Sequence, residues 1–140
     1  MNVLRRPWAL LLGGAFTLSA CSDASDAEIA ELRPVEGQVD LAAQLPGDWD
    51  RVCVLAPYST DRHAREILGV DADVSLRSRI VYSDSIALLV TVRDGDVAGL
   101  FEVPRSDVDF AHLGGECFDR AESGFAVPDS GHPYATHAEH

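Results

Sequence analysis

The amino-acid sequence predicts an α+β fold: a small single domain with an antiparallel meander sheet of about four to five strands and one short packed helix. Three observations support this fold class. Between residues 49 and 118, runs rich in Val, Ile and Leu are short and bounded by turn residues, as strands are. The pair Asp94-Gly95 separates two of these runs and is a strong hairpin signal. One helix pattern of about two turns precedes the hairpin.

The first strand and the helix follow each other directly. Residues 49–55 form the first predicted strand, which Pro57 closes. Residues 59–61 then offer a helix N-cap with an acid in the first turn, and Gly69 is the predicted C-cap. Because this helix has only about two turns, we expect tertiary packing to hold it.

Three further strand patterns follow the helix. They cover residues 79–82, 85–93 and 96–103. Both faces of the middle strand are largely apolar, which is typical of a central strand. Pro104 ends the third strand. The pattern therefore predicts a meander, to which a last short strand at residues 116–118 returns.

The N-terminal residues have the order of an export signal: two arginines, an apolar segment at residues 8–18, then small residues. Residues 18–21, Leu-Ser-Ala-Cys, resemble the bacterial lipobox. That resemblance implies a signal peptide at residues 1–20 and a lipoprotein that begins at Cys21, with diacylglycerol on its sulfur and a fatty acid such as palmitate on its amine. A plain secretory signal cut just before Cys21 is the alternative, and a retained membrane helix would need about twenty residues.

The lipid anchor predicts location. We expect the protein in a bacterial cell envelope, bound to the lipid bilayer through its acyl anchor, with the domain in the periplasm. Ser22 follows Cys21 directly. The absence of aspartate at that position favours the outer membrane over the inner one.

Four segments are expected along the chain. They are the signal peptide at residues 1–20, the lipidated N-terminus and flexible tether at 21–39, the globular α+β domain at 40–127, and a disordered His-containing tail at 128–140. Within the tether, Ser25 and Glu28 match a capping box and indicate a short helix.

The three cysteines are Cys21, Cys53 and Cys117. An odd number in an exported protein leaves one thiol to explain, and lipid on Cys21 would leave the other two as a pair in an oxidising compartment. A Cys53–Cys117 disulfide would span 64 positions. Such a loop corresponds to about 4 kcal/mol in the chain-entropy model. A reactive thiol or metal ligand is the alternative, but neither cysteine has a CxxC neighbour or an adjacent histidine.

Charge narrows the partners. The chain carries 11 basic residues, all arginine, against 23 acidic ones, and without the two arginines of the leader the net charge is −14. The negative electrostatic field of such a chain excludes nucleic acid as a partner. It also excludes a polybasic surface that would bind anionic lipid headgroups. It favours a basic envelope protein or divalent cations, and a solvated surface that only maintains solubility is the alternative.

Five short motifs also carry a resemblance. They are Trp49-Asp50, the strand at residues 52–55, Pro57-Tyr58, Leu68-Gly69 and Pro104-Arg105. In this order they resemble small exported bacterial lipoproteins of unknown function, over residues 49–118. The resemblance implies a fold and an envelope location, and it brings no activity and no catalytic or binding residues.

Catalytic chemistry has one candidate residue, His112, which precedes Gly114-Gly115. With a nearby carboxylate it would make an envelope hydrolase or another enzyme, which is the alternative function. General acid–base work needs carboxylates in a shared cleft, which spacing alone does not show. The acidic pairs that invite this interpretation are Asp71 and Asp73, Asp94 and Asp96, and Asp107 and Asp109.

The favoured interpretation is a non-enzymatic binding or structural module with an acidic surface and no cofactor. The tail histidines His132, His137 and His140 could bind zinc or copper, but their spacing forms no closed ligand set, so we assign no metal site. Four aromatic residues are assigned to core or edge packing rather than to a ligand platform: Trp49, Tyr58, Tyr82 and Phe101.

Overall fold

The computed structural model describes residues 26–138, which form two β-sheets and a few short helices. The strands are β1 (Glu28–Ile29), β2 (Gln38–Asp40), β3 (Arg51–Leu55), β4 (Ile86–Arg93), β5 (Asp96–Pro104), β6 (Cys117–Asp119), β7 (Gly124–Ala126) and β8 (Thr136–His137). The helices are α1 (Leu41–Gln44), α2 (Asp61–Leu68) and α3 (Val74–Arg77), with 3₁₀ turns at Ala111–Leu113 and Arg120–Glu122. The α+β class is confirmed, and the second sheet is an addition to the prediction.

The larger sheet has the strand order β1-β5-β4-β3-β6. Strand β4 pairs antiparallel with β3 and β5 and is buried on both faces along nearly its whole length, so its predicted central position is confirmed. The strand predicted at residues 79–82 is wrong, because those residues form turns and β3 takes the place beside β4. Ile80 is fully buried, since it packs onto one face of the sheet instead of extending its edge.

The hairpin between β4 and β5 turns at Asp94 and Gly95. Their φ angles are 50° and 82°, and a type I′ turn requires positive φ at both positions. The hairpin prediction is therefore confirmed.

Helix α2 is capped at both ends as predicted. The Thr60 side chain accepts a hydrogen bond from the His63 backbone N–H at 3.3 Å, and His63 Nδ1 accepts one from the Thr60 backbone N–H at 3.2 Å. His63 thus takes the position that Glu or Gln usually has in a capping box. Gly69 ends the helix in the left-handed conformation, with φ 79°.

The larger sheet separates two hydrophobic cores. On one face it packs against α2 and α3, with Leu68, Val74 and Ile80 among the buried residues. On the other face the second sheet, with strand order β2-β7-β8, encloses a core that contains Trp49 and Phe125. Both faces of β4 are apolar because each of them is covered.

The flexible tether predicted at residues 21–39 is wrong for residues 28–39. Strand β1 pairs in parallel with β5, and β2 pairs with β7. The short helix predicted from the Ser25–Glu28 capping box is also wrong. Burial alternates with the period of a strand, since Ala30 and Leu32 are buried and their neighbours are exposed.

The disordered tail predicted at residues 128–140 is wrong for residues 134–137. Strand β8 pairs antiparallel with β7, and Ala135 is fully buried. The Ala135 backbone N–H donates to the carbonyl oxygen of Asp109 at 2.9 Å. Residues 134–137 therefore contribute to the second core. Their polar composition gave no indication of this in the sequence.

The predicted signal peptide at residues 1–20, the lipidation site Cys21, and His140 lie outside the described residues. Within residues 26–138, no helix has the length and apolar character needed to cross a membrane.

Candidate functional site

A cleft lies at the carboxyl end of β3. Its walls are the loop that joins β3 to α2, one side of α2, and the loop before β6, and its cavity volume is about 290 Å³. The residues that line it are Ala56, Pro57, Tyr58, Ser59, His63, Glu66, Ile67, Gly114 and Gly115. Loops held on a packed sheet are the usual carriers of binding residues, so this cleft is our candidate site.

Tyr58 occupies a strained position in this cleft. Its φ angle is 65°, in the left-handed region, and its backbone N–H donates to the carbonyl of Ile80 at 2.8 Å. A bulky residue in this region costs about 1–3 kcal/mol, and such residues cluster at functional sites. The sequence assigned Tyr58 to core or edge packing, and because this residue is 56% exposed it does not belong to the core. Tyr82 is likewise exposed, whereas Trp49 and Phe101 are buried as predicted.

The opposite wall depends on two glycines. A Cβ atom on Gly114 would lie 2.5 Å from the Cβ of Ala56, so only glycine fits this close approach. Gly115 has φ 93°, and its backbone N–H donates to the carbonyl of Val54 at 2.8 Å. The loop is therefore bound tightly to the end of β3, and the cleft has a defined width.

Helix α2 contributes two polar side chains to the cleft, His63 and Glu66. His63 is engaged in the helix cap, and Glu66 accepts a hydrogen bond from Arg62 Nε at 3.1 Å on the exposed surface. The cleft is thus lined by an exposed aromatic residue, Tyr58, and by an acidic one, Glu66. That combination suits recognition of a cationic side chain, through ion pairing and cation–π contact.

The predicted disulfide between Cys53 and Cys117 is confirmed, and it adjoins the cleft. The two cysteines are directly opposite each other on β3 and β6, with Cα atoms 4.0 Å apart. Cys117 Sγ lies 3.9 Å from the carbonyl oxygen of Ile67, a residue of the cleft wall.

A second polar cluster surrounds the buried carboxylate of Asp109. Arg105 donates to both of its oxygens, at 3.0 and 3.1 Å, and His132 Nε2 lies 2.6 Å from Oδ2. The backbone N–H of Ala111 donates to Oδ1 at 2.9 Å. Burial by itself raises the pKa of Asp109, but the hydrogen bonds from Arg105, Ala111 and His132 outweigh it and hold this pKa below its ordinary value.

The Asp109 cluster also binds the backbone of the C-terminal segment. The Asp109 N–H donates to the carbonyl of Pro133 at 2.8 Å, and residues 109 and 134 form a parallel bridge. The carboxylate therefore acts as an anchor for residues 132–135, at the edge of the second core.

His112, the candidate catalytic residue, does not lie against this carboxylate. Its ring packs edge-on against the ring of Tyr134, with centroids 5.7 Å apart. The histidine that the structure brings to Asp109 is His132, which the sequence pattern assigned to a disordered tail. One feature of the sequence could have indicated this buried cluster: Asp109 lies between two apolar residues, Val108 and Phe110. An acid in such a position is unusual unless it has buried partners.

In each of the three acidic pairs noted in the sequence, one member contacts an arginine. Asp71 pairs with Arg65 at 3.5 Å, Asp94 with Arg93 at 3.3 Å, and Asp109 with Arg105 at 3.0 Å. Within the described part of the chain, no group of three or more His, Cys, Asp or Glu side chains is arranged to hold a metal ion.

Each of the nine arginines in residues 26–138 has a partner within the protein. Six contact carboxylates: Arg33, Arg62, Arg65, Arg79, Arg93 and Arg105. The other three donate to backbone carbonyls: Arg51 to Leu68, Arg77 to Ala72, and Arg120 to Ala42. Because the full chain has 23 acidic residues and only 11 arginines, these contacts leave a large excess of negative charge.

Comparison of the chain with models of known protein families, with curated proteins and with solved structures finds no match.

Proposed function

We propose that this protein is a lipid-anchored protein of the cell envelope whose domain is a non-enzymatic binding module for a cationic protein. The observation that carries the proposal is the unbalanced negative charge: 23 acidic residues in the chain, with each of the nine arginines in residues 26–138 engaged in an internal contact. A surface of this kind attracts cationic partners over several ångströms and repels anionic ones.

The cleft beside Tyr58 is the proposed contact point. An arginine or lysine of the partner would lie on the exposed Tyr58 ring and pair with Glu66, in exchange for the exposed Arg62 contact. Arg62 and Glu66 are both largely exposed, and pairs of this kind contribute little stability, so the exchange costs little. The close loop packing at Gly114 supports a preformed site.

The lipid anchor is proposed only from the signal-peptide pattern of residues 1–20 and the cysteine that follows it. Lipid on Cys21 would tie the domain to a membrane through a short segment ending at β1, whose first residue is Glu28. The domain would face the periplasm, and Ser22 favours the outer membrane. The oxidised Cys53–Cys117 pair is compatible with that compartment.

Pull-downs from an envelope extract, with the purified full chain as bait and without crosslinking, test the binding proposal. We expect the full chain to recover a basic protein at low ionic strength, and to lose it at about 0.5 M salt, where charges are screened over a few ångströms. Recovery that does not respond to salt contradicts an electrostatic partner. The Tyr58→Asn variant should recover less of that protein, whereas the matched variant Tyr82→Asn, at an exposed tyrosine that does not line the cleft, should recover as much as the parent.

Metabolic labelling with a fatty-acid analogue tests the anchor. The parent chain should take up the label and Cys21→Ala should not. Label in Cys21→Ala contradicts lipidation at this residue, and it leaves the binding proposal intact because the two measurements are independent.

The alternative of an enzyme that uses His112 has its own test. The imidazole contacts Tyr134, so its replacement in His112→Ala should leave the fold in place. If this variant has normal stability and cells that carry it are unchanged in phenotype, the enzyme hypothesis loses its only candidate residue.

A further inference from the structure

We propose that the Cys53–Cys117 disulfide is a thiol–disulfide exchange site, at which a thiol of another protein attacks Sγ of Cys117. This inference does not rest on the cationic-partner proposal. It rests on the position of the two sulfurs in the sheet and on the cation beside them.

The two cysteine residues differ in exposure. Cys53 is on β3, inside the sheet, and is fully buried. Cys117 is exposed and belongs to β6, a three-residue strand at the end of the sheet. Within the described residues, no strand pairs with the outer edge of β6.

This arrangement gives the attack a direction. A thiolate approaches a disulfide sulfur in line with the bond that breaks, from the side opposite the leaving sulfur. Because the disulfide runs from β3 outward to β6, the approach to Cys117 comes from solvent beyond the sheet edge. The neighbour of Cys53 on the side away from Cys117 is β4, which is buried on both faces, so that side is closed to an incoming thiol. Exchange is therefore expected at Cys117, with Cys53 as the leaving sulfur.

Arg51 supplies the cation. Its Nη1 lies 3.7 Å from Sγ of Cys53 and 3.7 Å from Sγ of Cys117. Its Nη2 donates to the carbonyl of Leu68 at 2.9 Å, which holds the guanidinium in place at the end of α2. No salt bridge within residues 26–138 involves Arg51.

The charge of Arg51 is therefore available to a thiolate. The carbonyl ends of α2, at Ile67 and Leu68, would disfavour negative charge on the sulfurs, and the guanidinium offsets them. A nearby cation stabilises a thiolate and makes it a better leaving group.

The exchange balances as follows. The thiolate of the incoming protein forms a bond to Sγ of Cys117, and the bond between Sγ of Cys117 and Sγ of Cys53 breaks. The electron pair of that bond leaves on Sγ of Cys53, beside Arg51. The products are a mixed disulfide at Cys117 and a thiolate at Cys53, with no net oxidation or reduction. Attack by Cys53 on the mixed disulfide reverses the step, whereas a second thiol completes reduction of the pair and leaves the two incoming thiols joined as a disulfide.

The test uses the oxidised full chain, purified in detergent, with 2-mercaptoethanol as the thiol and no denaturant. The reaction is stopped with acid in its early phase, free thiols are alkylated, and peptides are mapped by mass. We expect the mercaptoethanol adduct on the peptide that contains Cys117 and the alkyl group on Cys53. An adduct on Cys53, or no reaction until the chain is unfolded, overturns the proposal.

Variants of Arg51 test its part. Arg51→Gln should slow the first attack by about fivefold, because the leaving thiolate loses its cation. Arg51→Lys should recover most of the rate, and Arg62→Gln, an exposed arginine on the neighbouring helix, is the matched control and should react as the parent does. Equal rates in all four proteins contradict the role of Arg51.

A pH profile separates this electrostatic role from a structural one. In a Cys117→Ser background, the ultraviolet absorbance of the Cys53 thiolate should have its midpoint at higher pH when Arg51 is replaced by Gln than when it is replaced by Lys. A midpoint that is the same in both contradicts thiolate stabilisation by Arg51, even if the Gln variant is less stable.

Discussion

The two sheets of this domain are built from differently connected parts of the chain. In the larger sheet, β4 and β5 are joined by a tight hairpin and β3 pairs with β4 over five residue pairs. In the smaller sheet, β2 comes from near the start of the described residues and β7 and β8 from their end. The β4–β5 hairpin at the centre of the larger sheet is specified by local signals. The β2–β7 pair of the smaller sheet joins distant segments at an entropic cost, as do the β1–β5 and β3–β6 pairs toward the edges of the larger sheet.

The interactions that hold distant segments to the two sheets differ as well. A disulfide joins β3 to β6 in the larger sheet, whereas the buried carboxylate of Asp109 holds the C-terminal segment beside the smaller one. The first is covalent and insensitive to pH, and the second is polar. Removing each in turn shows which part of the fold it supports.

The largest expected effect is loss of the disulfide. Cys53→Ala with Cys117→Ala should lower the free energy of unfolding by about 4 kcal/mol, because the unfolded chain regains the entropy of the 64-residue loop. Urea denaturation measures the change. Cys21→Ala is the matched control with no expected effect on the domain, and an unchanged midpoint in the double variant contradicts a stabilising disulfide.

Loss of the carboxylate at Asp109 should be next in size. Asp109→Asn should lower the free energy of unfolding by about 3 kcal/mol, toward the lower end of the range for a broken buried pair because Arg105 is itself 33% exposed. Hydrogen exchange should rise first in residues 124–126 and 134–137, with β3 to β5 still protected. Asp107→Asn, at an exposed neighbour, is the control. A uniform rise across both sheets contradicts a local anchor.

The pH dependence of stability should follow from the same residue. Because the pKa of Asp109 is lower in the folded state than its ordinary value of 3.8, its contribution is present above that pH and is lost as the pH falls below it. The difference in unfolding free energy between the parent and Asp109→Asn should therefore shrink below pH 3.8. A difference that stays constant through this range contradicts the lowered pKa.

The smallest expected effect concerns the cleft. Tyr58→Gly should change the free energy of unfolding by no more than about 0.5 kcal/mol, because relief of the left-handed conformation and the greater freedom of glycine in the unfolded chain oppose each other. Capture of the cationic partner should nevertheless fall. Tyr82→Ala serves as the control, and unchanged capture in Tyr58→Gly removes the cleft from the proposed binding site.

Local elements of the fold were predicted from sequence more reliably than long-range ones. The hairpin at Asp94-Gly95, the caps of α2 at Thr60 and Gly69, and the disulfide were predicted correctly, because turn and cap residues report their own backbone conformation and cysteine pairing was constrained by number. The strand at residues 79–82 was wrong, because a short apolar run does not say whether it joins an edge or covers a face.

The candidate site was less accessible from sequence. Tyr58 was assigned to packing because its left-handed φ leaves no mark on composition. Arg51 could not be connected with the sulfurs, since the orientation of its side chain depends on the end of α2. His132 was assigned to a tail for want of any local pattern, and only the position of Asp109 in space gives it a partner.

The sequence by itself determined the class of the fold, the hairpin, the capped helix, the cysteine pair and the acidic character of the domain, because each depends on a residue type and its near neighbours. Only the tertiary structure decided that β2 joins β7 and β8 in a second sheet, that the Asp109 carboxylate contacts His132, and that Tyr58 is exposed in the cleft. These features depend on which distant surfaces bury one another, and local preference does not contain that information.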